Sequence, residues 1–240
     1  MINDKIQERT IALLGEKNLA KIQKTKIAVF GLGGVGGTAL VSLARSGFLN
    51  FFIVDSDCVE YSNLNRQILF SKLDLNLSKT EQATNFLLNL TENIKVQSHF
   101  GKVEEENIEK LLDGQSIDFI VDAIDDVKAK VAIINYSNKS NIPLIVSLGM
   151  ANRLDPRKLE IKSLDKTSHD PLAKKLRTEC RKNNIDLSKI TTICSSEQPL
   201  LKNEHPASMM VVPSSAGLLI CYYVIEHFLK KEKKEGLKND

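Results

Sequence analysis

The chain has no CxxC pair: its four cysteines, Cys58, Cys180, Cys194 and Cys221, stand far apart. That spacing suggests neither a zinc knuckle nor a disulfide framework. Charge of one sign is equally scarce, with 33 Lys and Arg against 30 Asp and Glu. So small an excess permits local basic patches but does not by itself indicate a nucleic-acid partner. The opening MINDKIQERT carries acids and no apolar core follows it, unlike a secretory signal. No stretch approaches the ~20 apolar residues of a membrane span. The most apolar tail segment, 216–225, is followed by the lysines of KKEKKEG and reads as a buried closing helix before a fraying tail. No stable membrane insertion is expected, and a cytoplasmic location follows. Internal repeats and low-complexity segments are also missing.

What remains is an ordinary globular composition, 42% hydrophobic and 26% charged over 240 residues. It suits one domain with a C-terminal elaboration. Residues 5–21 carry apolar side chains at helical spacing interrupted at Gly15, which predicts a short N-terminal helical arm. The run KIAVF, the glycines of GLGGVGG and the helical TALVSLARSG then read as strand, tight turn and helix. A second strand, FFIV, stops at Asp55, and a polar stretch runs through Leu77 to a helix with Ser78 as N-cap. A loop of that length is usually functional or disordered. Strands follow at 94–99, 117–121 and 143–147, with helices at 104–112 and 126–138. This alternation predicts an α/β fold with a Rossmann-like, mostly parallel sheet. Beyond Gly149 the pattern changes. Exposed alternation at 158–162, a helix at 171–183, a β-branched run at 190–194 and a helix at 208–230 predict a partly antiparallel extension.

The glycine-rich turn, with Gly31, Gly33, Gly34 and Gly36, lets backbone approach phosphates where a helix N-terminus presents unpaired amides. A turn packed tightly for its own sake is the alternative. Asp55, about 20 residues downstream at a strand end, is placed to accept hydrogen bonds from ribose hydroxyls. A dehydrogenase leaves the polar run around Arg66, and Lys79, without a task. Phosphate chemistry employs them better, Arg66 as a planar fork and Lys79 as a mobile point charge, although solvated surface charge also accounts for either alone. In Asp122-Ala123-Ile124-Asp125-Asp126, at the carboxyl end of a strand, Asp125 is favoured as a magnesium ligand. Asp126 reads better as a helix cap and Asp122 as a loop support.

RTIALLGEKNL, GLGGVGG, VDSDCVEYSNLNRQ, LSKTEQA and DAIDD together resemble the ThiF/MoeB superfamily of adenylating enzymes over residues 6–150. The resemblance implies a single adenylating domain, with 1–150 as its ATP-binding half and 151–240 as a substrate-side extension and C-terminal helix. It also implies that Gly33, Asp55, Asn63, Arg66, Lys79 and Asp125 serve ATP and magnesium. Arg9 matches an arginine that crosses a dimer interface to the phosphates, which implies a homodimer. HDPLAKKLR (169–177) and CSSE (194–197) resemble the tRNA threonylcarbamoyladenosine dehydratase branch. Its members adenylate the carboxylate of threonylcarbamoyladenosine in tRNA and close it into a cyclic hydantoin. Relatives that adenylate ubiquitin-like sulfur carriers, the alternative, usually carry two CxxC pairs. The branch also implies a relay role for Cys194, with a cysteine desulfurase or sulfur acceptor as partner, against a buried small residue. The cations Lys174, Lys175, Arg177, Arg181 and Lys182 offer a helix face for tRNA phosphates, or a solvated surface.

Overall fold

A computed structural model of the chain describes residues 5–201 and 207–236. The arm is two short helices, α1 (Glu8–Leu14) and α2 (Glu16–Lys24), parted at Gly15. Leu19 and Ile22 turn inward from α2. They lead into β1 (Lys26–Phe30), α3 (Gly34–Arg45) and β2 (Asn50–Asp55). Strand β1 pairs in parallel with β2 on one side and β4 (Phe119–Asp122) on the other, Ile27 lying opposite both Phe51 and Phe119. Being covered on both faces, these strands need unbroken apolar runs rather than alternation, which is how KIAVF and FFIV read.

The stretch between β2 and α4 (Lys79–Leu88) is ordered, with 3₁₀ turns at Tyr61–Asn63 and Lys72–Asp74 and a bridge between Cys58 and Ser78. Ser78 caps α4 as expected, its Oγ accepting from the Glu81 amide. Strand β3 (Lys95–Phe100) is the sheet edge beside β2, and its exposed Lys95 and Gln97 discourage pairing with another chain. The helix expected over 104–112 shortens to α5 (Ile108–Leu112). Asn107 is the reason: its Oδ1 accepts from the Glu104 amide and its Nδ2 donates to Lys102 O, holding the backbone in a turn.

After α6 (Val127–Ser140) and β5 (Leu144–Ser147) come β6 (Leu159–Ser163), α7 (Pro171–Lys182), β7 (Thr191–Ser195) and α8 (Val211–Gly236). The sheet order is β3-β2-β1-β4-β5-β7-β6. Strand β7 is parallel to β5 and antiparallel to β6, so the expected change of direction lies at the far edge.

Val212, Ala216, Ile220, Val224 and Phe228 form the buried stripe of α8. Fully burying a side chain of the larger of these types contributes roughly 1.5–3 kcal/mol, which anchors the helix against α3 and the sheet. Phe228 meets Phe119 edge-on at 6.1 Å, and Thr38 Oγ1 donates to Ser214 Oγ at 3.2 Å. One expectation is corrected here. Val211–Leu229, 19 residues, is long and apolar enough by length and composition to cross a membrane. Much of that apolarity is used in packing against protein. The helix also runs past the expected end at 230. The tail beyond Gly236 and residues 1–4 of the opening segment lie outside the described residues.

Candidate active site

Each parallel strand presents its carboxyl end at one edge, where β1, β2 and β4 stop beside one another. At that edge Gly31 adopts φ +85°, and a Cβ there would stand 2.7 Å from the Ala123 carbonyl oxygen. A Cβ on Gly36 would come within 1.9 Å of Gly31 O, so both glycines are required by backbone closing on backbone. Gly33 and Gly34 line a cavity of about 1160 Å³, whereas Gly36 lies behind them in the first turn of α3. Small-ligand pockets run to roughly 300–1,000 Å³, so this one has room for a nucleotide and part of a second reactant.

Asp55 is buried at the mouth of β2. Its Oδ2 accepts from the Leu32 amide at 2.6 Å and its Oδ1 from the Asp57 amide at 2.8 Å. One carboxylate therefore ties the glycine turn to the following loop. Burial pushes its pKa above the usual carboxylate range, against the opposing pull of the Lys79 ammonium and the two amides. Lys79, only 4% exposed at the first turn of α4, donates from Nζ to Asp57 Oδ2 at 2.8 Å. Asn63 Oδ1 accepts from the Glu60 amide at 3.2 Å, closing a capping box around the 3₁₀ turn. Arg66 folds back to donate to Ser62 O at 2.6 Å and Asn65 Oδ1 at 3.0 Å. Asp55, Asn63, Arg66, Lys79 and Asp125 all line the one cavity.

The three aspartates at and after the end of β4 separate by environment. Asp122 is fully buried, with Oδ1 accepting from Lys130 Nζ at 3.1 Å and from the Ile124 amide at 3.1 Å. Burial raises its pKa, with the Lys130 ammonium opposing. Asp126 caps α6 through the Ala129 amide at 2.8 Å. Asp125 is exposed on the cavity wall, free to meet a ligand.

Besides Gly36, two expected residues do not line the cavity. Arg9 is exposed on α1 and does not line it. Cys194 is 1% exposed inside β7, its Sγ against Glu160 O at 3.6 Å, and burial raises its thiol pKa. The cavity adds residues that the motifs did not assign. Asp57 is the partner of Lys79, and Gln67 has a buried Oε1 with no hydrogen-bond donor among the described residues. Glu104, Glu105 and Glu106 form one wall, and Glu179 and Asn183 bring α7 to the rim. The signal for Gln67 was its place beside Arg66 in NLNRQ. Nothing local marked the acidic wall.

A glycine turn against a helix N-terminus, a strand-end carboxylate, two cations and a second carboxylate around one cleft define a nucleotide-binding α/β protein equipped for phosphate chemistry. The ThiF family profile matches residues 7–238, and the chain belongs to the ThiF family. It is 31% identical to the tRNA threonylcarbamoyladenosine dehydratase of Bacillus subtilis (strain 168), across 94% of this chain and 95% of that one. The dehydratase of Escherichia coli (strain K12) is 33% identical across 74% of this chain and 67% of its own. The crystal structure of the E. coli enzyme, TcdA, in complex with AMP superposes with a TM-score of 0.91 at 27% identity, covering 98% of this chain and 99% of that one. Its complex with ATP gives the same values.

Proposed function

We propose that this chain is an ATP-dependent tRNA threonylcarbamoyladenosine dehydratase. It adenylates the carboxylate of the modified nucleoside and closes it into the cyclic hydantoin form. The observation that carries the chemistry is the meeting of Asp55, Asn63, Arg66, Lys79 and Asp125 around one cavity beside the glycine turn. Similarity to dehydratases over nearly the whole length supports the substrate. The lack of any CxxC pair speaks against a sulfur-carrier adenylase.

In this reading Gly33 and Gly34 admit the phosphates to the amides of α3, and Asp55 accepts from ribose. Arg66 and Lys79 exchange their present partners, Ser62 O and Asp57, for phosphate oxygens. Asp125 fits magnesium: it is an exposed carboxylate on the cavity wall, and magnesium takes few protein ligands beside phosphates and water. When bound it supplies charge neutralisation at the phosphates. The substrate carboxylate oxygen bonds to the α-phosphorus, the bridging P–O bond breaks, and pyrophosphate leaves with the electron pair. A nucleophile within the threonylcarbamoyl substituent then attacks the activated carbonyl, AMP leaves with the carboxyl oxygen, and the nucleophile's proton passes to solvent. Positioning and charge stabilisation suffice for both steps, and no acyl-enzyme is required. Cys194 then serves as a core residue of β7, and any cysteine desulfurase or sulfur acceptor acts outside this chemistry. Incubation with ATP, magnesium and tRNA bearing threonylcarbamoyladenosine, followed by nucleoside mass spectrometry, tests the proposal. Unchanged nucleoside would overturn it.

The proposed working form is a cytoplasmic homodimer in which Arg9 serves the partner's phosphates. Its exposure on α1 supports this, as does Leu13 on the same helix, 82% exposed and suited to burial against a second copy. Mixing Arg9→Ala with Asp125→Asn protomers is expected to restore part of the activity that each lacks alone. No rescue after verified subunit exchange would count against sharing.

For tRNA we take the outer face of α7. Ala173, Leu176 and Cys180 are its buried stripe, leaving Lys174, Lys175, Arg181 and Lys182 exposed, while Glu179 and Asn183 reach the cavity rim. Arg177 donates to Thr167 O at 3.0 Å and is partly occupied by the fold. Replacing Lys174, Lys175 and Arg181 by Gln is expected to weaken tRNA binding across sequences. Every cation that meets a phosphate should, on removal, reduce the salt slope by about 1, with ATP affinity intact. Titration across a salt series checks this, and an unchanged slope would place the RNA surface elsewhere.

A further inference from the structure

Arg153 resembles an ordinary loop cation in the sequence NRLDPRK, yet it is 5% exposed. Its guanidinium donates to Gly149 O at 2.9 Å, His169 O at 3.1 Å, Ser195 O at 3.3 Å and Glu197 O. A planar fork with five donors joins, in one place, the exits of β5 and β7 and the entry to α7. The Glu197 carboxylate returns the contact by accepting from the amides of Leu154 and Asp155, both at 3.0 Å.

The preceding residue extends this knot toward the nucleotide cavity. Asn152 sits at φ +59°, a conformation asparagine tolerates better than most residues. Its amide donates to Ala207 O at 2.7 Å, its Oδ1 accepts from the Ala207 amide at 2.9 Å, and its carbonyl accepts from the Leu200 amide at 2.8 Å. Next in the chain, Ser208 O accepts from Asn65 Nδ2 at 2.9 Å, and Asn65 Oδ1 in turn accepts from Arg66. Hydrogen bonds on either side of the Ala207–Ser208 peptide thus join Asn152 to a cation on the cavity wall.

We propose that Asn152 and Arg153 are positioning residues for Arg66, acting through Ala207, Ser208 and Asn65 to hold its guanidinium at the phosphate end of the cavity. This rests on the reading above that Arg66 meets the nucleotide's phosphates. Asn152 is the cleaner position to test, because Asn152→Gly keeps the positive φ and deletes only the carboxamide, whereas truncating Arg153 takes the donor from four carbonyls at once. Asn65→Ala cuts the same line at its other end.

The test uses the full chain in calorimetric titrations with magnesium ATP and, separately, with adenosine, which has no phosphate for Arg66 to meet. Asn152→Gly and Asn65→Ala are each expected to weaken ATP about tenfold, the scale of one charge-assisted hydrogen bond, and to leave adenosine unchanged. The double variant should bind ATP no worse than either single one, because both cut one line. Asn152→Asp, which keeps the acceptor for the Ala207 amide, should restore affinity. Unchanged ATP binding in Asn152→Gly, equal losses toward adenosine, additive losses in the double variant or failure of Asn152→Asp to rescue would each overturn the inference. A wild-type protein that binds ATP more tightly than adenosine yet forms no cyclic nucleoside would overturn the substrate assignment and leave this inference standing.

Discussion

Asp125→Asn is expected to lower AMP formation by about a hundredfold at limiting magnesium, because a neutral amide is a poor ligand for a hard cation that relies on few protein oxygens. The fold should survive. Asp125 is exposed, Asp126 rather than Asp125 caps α6, and Asp122 supports the loop from beneath through the Ile124 amide. The thermal transition should therefore match wild type while the magnesium dependence shifts to higher concentration. Wild-type activity at limiting magnesium would show that Asp125 is not the ligand. Asp126 would then be the next carboxylate to test, since Asp122 is committed to Lys130.

Lys79→Met is expected to reduce turnover by about a hundredfold to a thousandfold, the usual consequence of deleting one preorganised group that meets developing charge. Methionine fills a similar volume, and Asp57 has a side chain 62% exposed, so removal of its partner returns it to water at little cost. Asp55 responds differently. Lys79 opposes the upward push of burial on the Asp55 carboxyl, so removing the cation leaves that pKa higher still. A carboxyl whose folded pKa lies above its unfolded value opposes folding once ionised. The penalty is full above the folded pKa and fades as pH falls through it toward the unfolded value. The melting temperature of Lys79→Met should fall furthest below wild type at neutral pH, and the gap should narrow on acidification through the carboxylate range. Steady-state assays of AMP formation and melting curves at several pH values check both parts. A constant gap would show that Asp55 does not feel Lys79.

These two residues also show how far the sequence could be read. Lys79 and Asp125 lie beside local signals, Ser78 as a cap and a strand end at Asp122, and their placement on one wall follows from parallel strands that share a carboxyl edge. Asp57 carries no such signal: its pairing with Lys79 requires the loop after β2 to return to the start of α4, a closure made by the Cys58–Ser78 bridge. Arg153 carries none either, since its four carbonyl partners come from 149, 169, 195 and 197 and meet only once β7 has inserted beside β5.

The sequence by itself determined the parts whose physics is local. These include the buried parallel strands as apolar runs, the glycines where backbone closes on backbone, the caps at Ser78 and Asp126, and the residue types around the nucleotide turn. Tertiary structure decided the rest. It placed β7 between β5 and β6, brought Glu179 and Asn183 at the end of α7 to the cavity rim, buried Cys194 in the sheet and left Arg9 outside its own chain's cavity. The physical reason is range. A turn or a cap is selected by neighbours a few residues away, whereas strand order, burial and the partners of a long cation are set by which distant surfaces exclude water together.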